Sequence, residues 1–520
     1  MQDYDLLLTS ETMTRIDAAA QEEFGISGLV LMENAGRALW EAIPDLRTAP
    51  AVFCAGPGNN GGDALVAARW AYLAGIQFSV ITSRRELNES AAVQWRILER
   101  LGVERIVWTE APRRCREVLA GAAIVVEGIA GTGISGPLRE EPASLVSEIN
   151  TLTAPVVAVD VPSGARDGYR SGEPLVTATV TVVTGYRKRC LYTAAVRPAA
   201  GEIRQVDPGF PPDLIRRYSG LPRVIEGTPV PVGKLPPLSP DGYKGTRGRL
   251  GVIGGAPGTA GAVTLAALGG LYGGAGMARI CNGAMSGGVA TVTSDPALSA
   301  DPAIMVDPDS SEHRRNLINW SDVVVVGPGW TGAGDADLLE VLREAAHRST
   351  PVVLDAAALR LLGQGGGGDA REFLRERARP GDGASAIILT PHPGELAFLA
   401  GETAQEVSSE PWRIMEELSR ELHACVVLKG AVTIVHDPER GVVVIDGRCP
   451  ALGTAGSGDV LAGLIGTWAV RIGSAGEAAR IAATLHLNAG RTLADCRGWF
   501  TATDLAAAIG REEMRAREAR

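Results

Sequence analysis

Two carboxylates in this sequence end apolar runs and open onto glycine. Residues 123–127 (AIVVE) lead from Glu127 into Gly128-Ile129-Ala130-Gly131-Thr132-Gly133, and residues 156–160 (VVAVD) lead from Asp160 into Val161-Pro162-Ser163-Gly164. An acid in such a position is costly to bury unless it is paired or used in chemistry. Each alone reads equally as a solvent-facing strand end or a loop cap. A third run, residues 51–55 (AVFCA), leads into Gly56-Pro57-Gly58-Asn59-Asn60-Gly61-Gly62-Asp63 and then a helix. Bare amides at a helix start attract anions, and the two asparagine oxygens suit a hard cation or a ribose. Gly56, Gly58 and Gly61 satisfy G-x-G-x-x-G, yet Thr82-Ser83-Arg84-Arg85 follow the next strand, and its first acid is Glu86. A dinucleotide site of the usual kind places an acid there, so a tight strand-to-helix turn stays open for this loop. Three such loops at one sheet edge point to a binding site, because ligands of parallel sheets lie beyond the carboxyl ends of the strands.

Further on, Gly453-Thr454-Ala455-Gly456-Ser457-Gly458-Asp459 opens the helical run VLAGLIGTWA. Amides in that turn can hold a transferring phosphoryl group while Asp459 takes a hydroxyl proton. The plain alternative is an Asp that only favours a helix start. Other strand ends carry Gly327-Pro328-Gly329, Thr390-Pro391-His392-Pro393-Gly394-Glu395 and Lys429-Gly430. His392 between two prolines belongs to a rigid loop rather than a core. Lys429 after CVVL suits a phosphate contact, with a snorkelling surface lysine as its rival. No Walker A sequence is present, which disfavours P-loop chemistry.

The elements that must carry these residues alternate between apolar strands and helices. Strands are predicted at 51–55, 78–82, 123–127 and 156–160, with helices at 11–23, 29–43, 62–75, 89–101 and 142–150. The pattern lapses in Pro-rich sequence between Phe210 and Pro240 and then resumes. Strands are predicted there at 249–253, 323–326, 352–354, 387–389, 426–428 and 432–435, with helices at 261–274, 337–347, 411–422 and 460–470. Continuous apolar strands with helical crossovers imply parallel sheets covered on both faces. The expected organisation is an α/β chain: an N-terminal Rossmann-like parallel-sheet domain over 1–218, a Pro-rich linker over 219–234 and a second α/β domain over 235–520. The last ten residues, REEMRAREAR, read as a charged helix end or frayed tail.

Composition bounds the function. With 520 residues, two to four domains are expected. Sixty acidic against fifty basic residues leave a net charge of −10, which argues against a nucleic-acid partner. The seven scattered cysteines form no C-x-x-C pair, which suits reduced thiols and a cytoplasmic location. No H-E-x-x-H or similar histidine spacing suggests zinc, and no leader sequence is evident at the N-terminus. Residues 250–278 lack charge, but their glycines and Pro257 favour a buried strand, turn and helix over a membrane span.

GNNGGD, GTGISG and VDVPSG, preceded by LMENAG at residues 31–36, resemble the NAD(P)H-hydrate epimerase domain over about residues 8–215. The resemblance implies that Asn59, Asn60, Gly61, Gly62 and Asp63 bind the hydrated nucleotide, together with Gly131, Thr132, Gly133, Ile134, Ser135, Gly136, Pro137 and Asp160. It implies potassium held by Asn60, Ser163 and Glu127, the last standing where the family has Asp, and proton transfer by Asp160. YKGTRGRLGVIGGAPGTAGA, GPG, VVLDA, LTPHPGE, VVLKGAVT and AGSGDVLAG resemble the ADP/ATP-dependent NAD(P)H-hydrate dehydratase domain of the ribokinase-like superfamily. That resemblance implies hydrate contacts at Ala262, Gly329, His392 and Asp459. Contacts to the adenine nucleotide are implied at Lys429, Gly430, Ala431, Val432, Thr433 and Gly458. This chain departs from the family at Tyr243, Ala256, Trp330, Thr331 and Ala357. The implied activity is repair of hydrated NADH and NADPH (NADHX and NADPHX), by epimerisation and then ADP- or ATP-dependent dehydration, with magnesium carried on the nucleotide. A homo-oligomer is expected. The rival reading is a small-molecule kinase of the ribokinase superfamily with a non-catalytic nucleotide-binding N-terminal domain.

Overall fold

The computed structural model describes residues 6–47, 49–218, 222–225, 235–237, 239–285, 301–363, 368–377 and 386–518. The chain divides into two compact units near Arg223.

The first unit begins with a short strand, β1 (Leu7–Leu8), and helices α1 (Ser10–Glu22) and α2 (Gly28–Ala42). Then follow β2 (Ala51–Ala55), α3 (Asn59–Leu73), β3 (Phe78–Thr82), α4 (Glu89–Arg100), β4 (Arg105–Val107), α5 (Pro112–Ala120), β5 (Ile124–Gly128) and α6 (Glu140–Ile149). β6 (Val156–Val159), β7 (Val180–Thr184), β8 (Arg187–Lys188), β9 (Glu202–Val206) and α7 (Pro212–Arg216) complete it. Seven strands form one parallel sheet in the order β4-β3-β2-β5-β6-β7-β9. Succession runs outward from β2 on one side and from β5 on the other, so the switch point lies between those two strands, where a parallel sheet opens a crevice.

The central strands β2 and β6 are apolar throughout because both faces are covered. In β2, Phe53 packs with Leu39, Leu65 and Trp95 of α2–α4, while its neighbours Val52 and Cys54 pack with Leu119 and Leu145 of α5 and α6. Burying each such side chain contributes about 1.5–3 kcal/mol. Helix starts are set by local caps: Thr9 accepts from the Thr12 amide at 3.1 Å and Asn88 from the Ala91 amide at 2.9 Å. β7, β8 and β9 were not expected from the pattern, nor were β4 and α5. β4 and β8 are too short to show a period, and β9 (EIRQV) is largely polar.

The second unit contains β10 (Arg223–Ile225), β11 (Arg249–Gly254), α8 (Ala260–Tyr272), β12 (Met277–Asn282), β13 (Ile304–Pro308), α9 (Ser311–Trp320), β14 (Val323–Val326), α10 (Asp335–His347), β15 (Val352–Leu354), α11 (Ala357–Leu361) and α12 (Asp369–Glu376). β16 (Ile387–Leu389), α13 (Pro393–Ala400), α14 (Ala404–Ser409), α15 (Pro411–Leu422), β17 (Cys425–Leu428), β18 (Val432–Asp437) and β19 (Gly441–Asp446) follow, and then α16 (Ser457–Ile472), α17 (Ala475–Arg497) and α18 (Ala502–Glu518). The ten strands lie in the order β10-β19-β18-β17-β16-β15-β14-β11-β12-β13. The run from β13 to β17 is parallel, and the pairings β17–β18 and β18–β19 are antiparallel. Helices α8, α16, α17 and α18 cover one face through Val263, Leu464, Leu485 and Leu505.

Residues 250–278 are the expected strand, glycine turn and helix, and among the described residues no helix is long and apolar enough to cross a membrane. Inside the stretch expected as a linker, Arg223–Ile225 form β10 beside β19, while residues 219–221 and 226–234 lie outside the described residues. The C-terminal charged stretch is helical to Glu518, not a frayed tail: Glu513 is buried and paired with Arg471 at 2.6 Å and Arg517 at 2.7 Å.

Candidate functional site

At the switch point of the first unit the loops after β2 and β5 meet backbone to backbone. A β-carbon on Gly56 would stand 1.7 Å from the Ile129 carbonyl oxygen, and one on Gly128 would stand 2.5 Å from that of Asn60. Glycine is required there by close approach, not by turn conformation. α3 begins at Asn59, so Asn59, Asn60, Gly61, Gly62 and Asp63 form its first turn rather than a loop ahead of it. Amides at a helix start that lack intrahelical partners can bind an anion. Asn59 accepts from Asn88 Nδ2 at 2.8 Å. Gly131 packs against Asn60: its β-carbon would lie 3.3 Å from Asn60 Cγ. Thr132, Gly133, Ile134, Ser135, Gly136 and Pro137 continue from it as a partly to fully exposed loop before α6.

Glu127 does not face solvent; it is fully buried. Its Oε1 accepts from the Ser163 amide at 2.9 Å, and its Oε2 accepts from Ser163 Oγ and from the Ile129 amide at 3.3 Å. Ser163 Oγ in turn accepts from the Ala130 amide at 2.8 Å. Burial pushes the Glu127 carboxyl up to about 8, against the pull of the Ser163 and Ile129 bonds. Asn60 Nδ2, also buried, has no hydrogen-bond partner.

Asp160 sits just past β6 with a left-handed backbone, φ 66°. Its Oδ1 accepts from the Thr184 amide at 3.1 Å, from Thr184 Oγ1 at 2.9 Å and from Lys188 Nζ. Lys188 is almost completely buried and also donates to the Thr184 carbonyl at 2.8 Å. Its position is set by β8, which pairs with β1 in the register Leu8↔Lys188. Two further carboxylates feel this pair. Burial raises Asp17 to about 6, offset by Lys188, and raises Asp63 well above its ordinary value, with Asp160 adding to the effect. Sequence reasoning missed Lys188, Thr184 and Asp17. The signal was there for Lys188, a lysine just beyond VTVVT, but β7 had not been recognised as a strand of this sheet.

In the second unit the carboxyl ends of β14, β15, β16 and β17 lie side by side and carry Gly327–Gly329, Asp355, Thr390–His392 and Lys429. Lys429 Nζ lies 2.6 Å from Asp355 Oδ1, which also accepts from Thr390 Oγ1 at 2.8 Å. α16 opens at Ser457 after Gly456 in the left-handed region (φ 87°), so Gly458 and Asp459 occupy its first turn. A β-carbon on Gly458 would stand 3.4 Å from Lys429 Nζ. Burial lifts Asp459 to about 7, Asp355 adding to the rise and Lys429 opposing it. Burial alone would depress Lys429, but the Asp355 carboxylate outweighs it and holds the ammonium above its usual range. His486 is buried and pushed down to about 4, hence neutral, with Nε2 3.0 Å from the Ser457 carbonyl.

His392 caps α13: its Nδ1 accepts from the Gly394 amide at 3.0 Å and the Glu395 amide at 3.2 Å, while Glu395 accepts from the His392 amide at 2.9 Å. The other ring nitrogen, Nε2, lies 3.5 Å from Glu395 Oε1. Ala262 and Gly329 adjoin, a Gly329 β-carbon standing 3.1 Å from that of Ala262. A cavity of about 510 Å³ is lined by Lys429, Gly430, Ala431, Thr433 and Gly458 with His392 at its edge. Val432 is not among its lining residues, as alternation along β18 requires. Trp330, a departure from the family pattern, is buried and donates Nε1–H to Asp309 Oδ2 at 2.9 Å. Among the described residues no group of three or more His, Cys, Asp or Glu could hold a metal ion.

Comparison with known proteins agrees with this division. A family model described as YjeF-related protein N-terminus matches residues 28–190, and one described as NAD(P)H-hydrate dehydratase matches residues 250–511. The chain is 32% identical over 509 residues to the bifunctional NAD(P)H-hydrate repair enzyme Nnr of Moorella thermoacetica, covering 95% of this chain and 93% of that protein. It is 31% identical over 470 residues to the protein of the same name from Escherichia coli K12, covering 88% and 84%. Among solved structures, the ADP/ATP-dependent NAD(P)H-hydrate dehydratase from Bacillus subtilis, co-crystallised with ATP/Mg2+, is 23% identical, matching 55% of this chain and 95% of that one with a TM-score of 0.45.

Proposed function

The chain belongs to the bifunctional NAD(P)H-hydrate repair enzymes, and we propose that its two units divide the repair between them, the first interconverting the R and S hydrates and the second dehydrating the S hydrate. The observation that carries the reading is the place of Asp459: in the first turn of α16, next to Gly458, which with Lys429 lines a cavity of about 510 Å³, and lifted by burial to about 7. A base poised near neutrality is what removing a hydroxyl proton at physiological pH requires.

In the second unit Asp459 takes the proton of the hydrate hydroxyl as its oxygen attacks the terminal phosphoryl group of ADP or ATP, breaking the bridging P–O bond and releasing AMP or ADP. The amides of residues 456–458 hold the transferring group. The ring nitrogen then expels phosphate, and loss of a ring proton restores the dihydronicotinamide. Lys429, Gly430, Ala431, Thr433 and Gly458 are the nucleotide contacts this cavity supports; Val432 is not one of them. Ala262, Gly329 and His392 take the hydrate. Magnesium would arrive on the nucleotide phosphates and neutralise their charge.

In the first unit the hydroxyl-bearing carbon lies next to the ring nitrogen, whose lone pair can expel hydroxide to leave a planar iminium. Water returning to the opposite face gives the other epimer; Asp160 accepts its proton and passes it to the departed hydroxide, which leaves as water and restores the carboxylate. Lys188 and the two Thr184 donors hold the Asp160 carboxylate in place through its Oδ1. Potassium suits the neighbouring site: Glu127 is a buried carboxyl whose hydrogen bonds come only from the neutral Ser163 and Ile129 groups. Glu127, Ser163 and Asn60 would hold the ion, which would supply the positive charge this carboxylate lacks.

A kinase with a non-catalytic first domain is not favoured, because relatives matching nearly the whole chain are named for both repair activities. The test is to incubate the protein with mixed hydrate epimers and ADP or ATP, following dihydronicotinamide absorbance and phosphate release. Asp459→Asn should leave epimerisation intact and stop dehydration. Asp160→Asn should leave dehydration of the S hydrate intact while the R hydrate accumulates. Accumulation of a phosphorylated hydrate without phosphate release would restore the kinase reading.

A further inference from the structure

Lys429 lies between Asp355, with which it pairs, and the first turn of α16, which carries Asp459. Its Nζ is 2.6 Å from Asp355 Oδ1 and close to the first turn of α16, where a β-carbon on Gly458 would lie 3.4 Å away. The ion pair it forms is with Asp355; Asp459, one residue beyond Gly458, has none among the described residues. Asp355 is held firmly enough to impose that choice. It is almost completely buried, its Oδ1 also accepts from Thr390 Oγ1 at 2.8 Å, and its amide donates to the Val326 carbonyl at 3.0 Å. Its carbonyl is packed so tightly on Gly327 that a β-carbon there would stand 1.9 Å away, and the next residue, Ala356, turns the chain with φ 48°. Such over-determined backbone is how a structure fixes one side chain against the pull of alternatives.

We propose that Asp355 is a positioning residue for dehydration, holding the Lys429 ammonium off Asp459 so that the Asp459 carboxylate stays free to take the hydroxyl proton. The inference rests on the assignment of Asp459 as the base. An ammonium paired directly with Asp459 would stabilise its charge and weaken it as a base. The other groups facing Asp459 work in the same direction. Asp355 and Glu395 raise its proton affinity, and His486, neutral beside the Ser457 carbonyl, adds no competing positive charge. Lys429 remains aimed at the cavity, where incoming phosphates can take it without disturbing the base.

The pH dependence of kcat/KM for dehydration tests this, because a merely structural role would not move it. In the parent the rate should fall on the acid side of about pH 7 as Asp459 takes up a proton. In Asp355→Asn two effects act together: the anion that raised Asp459 is gone, and Lys429 is released towards it. The acid limb should move down by about one unit and the plateau rate should fall roughly tenfold. In a Lys429→Met background, adding Asp355→Asn should move the limb less than half as far, since there is no ammonium to release. Equal shifts in both backgrounds would mean that Asp355 acts by its own charge, and no shift in either would reduce it to packing; both results overturn the proposal. Thr390→Val keeps both charges and nearly the same shape, so it carries the test if Asp355→Asn does not fold. It should move the limb the same way by a smaller amount, and an unmoved limb overturns the proposal. Asp459→Asn is measured alongside: if it still dehydrates the S hydrate, the base assignment itself fails, independently of what Asp355 does.

Discussion

Asp160 keeps a left-handed backbone that costs a non-glycine residue roughly 1–3 kcal/mol, and three donors on one carboxylate oxygen hold it there. Its second oxygen is the one free to meet water or substrate. Replacing it by Asn keeps the shape and removes the base, so epimerisation should fall by at least about a hundredfold. Chromatographic separation of the hydrate epimers over time measures this, and a parental rate would remove Asp160 from the mechanism. Glu127 makes a separate prediction. If potassium sits against its buried carboxylate, potassium should raise the melting temperature of the first unit by mass action, and Glu127→Gln should lose that gain. Glu127→Asp, one methylene shorter, should enlarge the cavity and shift epimerase activation towards rubidium over sodium. Identical cation profiles for the parent and Glu127→Asp would strike Glu127 from the ligand set.

Helices α8 and α16 cross close enough that each presents glycine to the backbone of the other. A β-carbon on Gly463 would stand 1.8 Å from the Ala266 carbonyl oxygen, and one on Gly269 would stand 2.2 Å from that of Val460. Because α16 carries Gly458 and Asp459 in its first turn, this crossing sets where the base stands. Gly463→Ala should force the helices apart, destabilise the second unit by about 1–3 kcal/mol and reduce dehydration, with epimerisation unchanged. Gly473, the α16 C-cap, is a control: its φ is 73° but open space surrounds it, so Gly473→Ala should cost only about 1 kcal/mol of backbone strain and leave the kinetics intact. Thermal unfolding of the two variants, with both activities assayed, separates close approach from conformational strain. Equal destabilisation would show that the crossing is looser than the glycines imply.

At the scale of the whole molecule, each unit closes its own sheet and its own core. The chain passes from the first unit to the second at residue 223, with Ser408–Glu410 also falling to the first: the Pro222 carbonyl accepts from the Leu7 amide, while Arg223–Ile225 form the edge strand of the second sheet. Cutting between residues 222 and 223 should therefore yield two soluble fragments, 1–222 with potassium-responsive epimerisation and 223–520 with nucleotide-dependent dehydration. Removing residues 223–225 from the second fragment should lower its melting temperature by exposing β19 as an edge. If neither fragment unfolds cooperatively, the two cores are not independent.

The glycine motifs, the acids at strand ends and the two-domain α/β plan were legible from the sequence because all are local. A buried parallel strand is a continuous apolar run, and a loop that meets a ligand by its backbone must be glycine-rich. β10 was not legible, since its three residues carry too little pattern to announce a strand. Neighbourhood was decided only by the tertiary structure. Strand order brings Gly56 against Ile129 and sets Asp160 beside Lys188, 28 positions away, through β7 and β8, which the pattern had not revealed. Burial, not residue type, turned Glu127 inward to Ser163 and lifted Asp459 to about 7. The choice of Asp355 over Asp459 by Lys429 was likewise invisible in the motif that carries the lysine. A carboxylate's proton affinity depends on the charges and solvent that remote segments place around it, and no spacing within one motif contains that information.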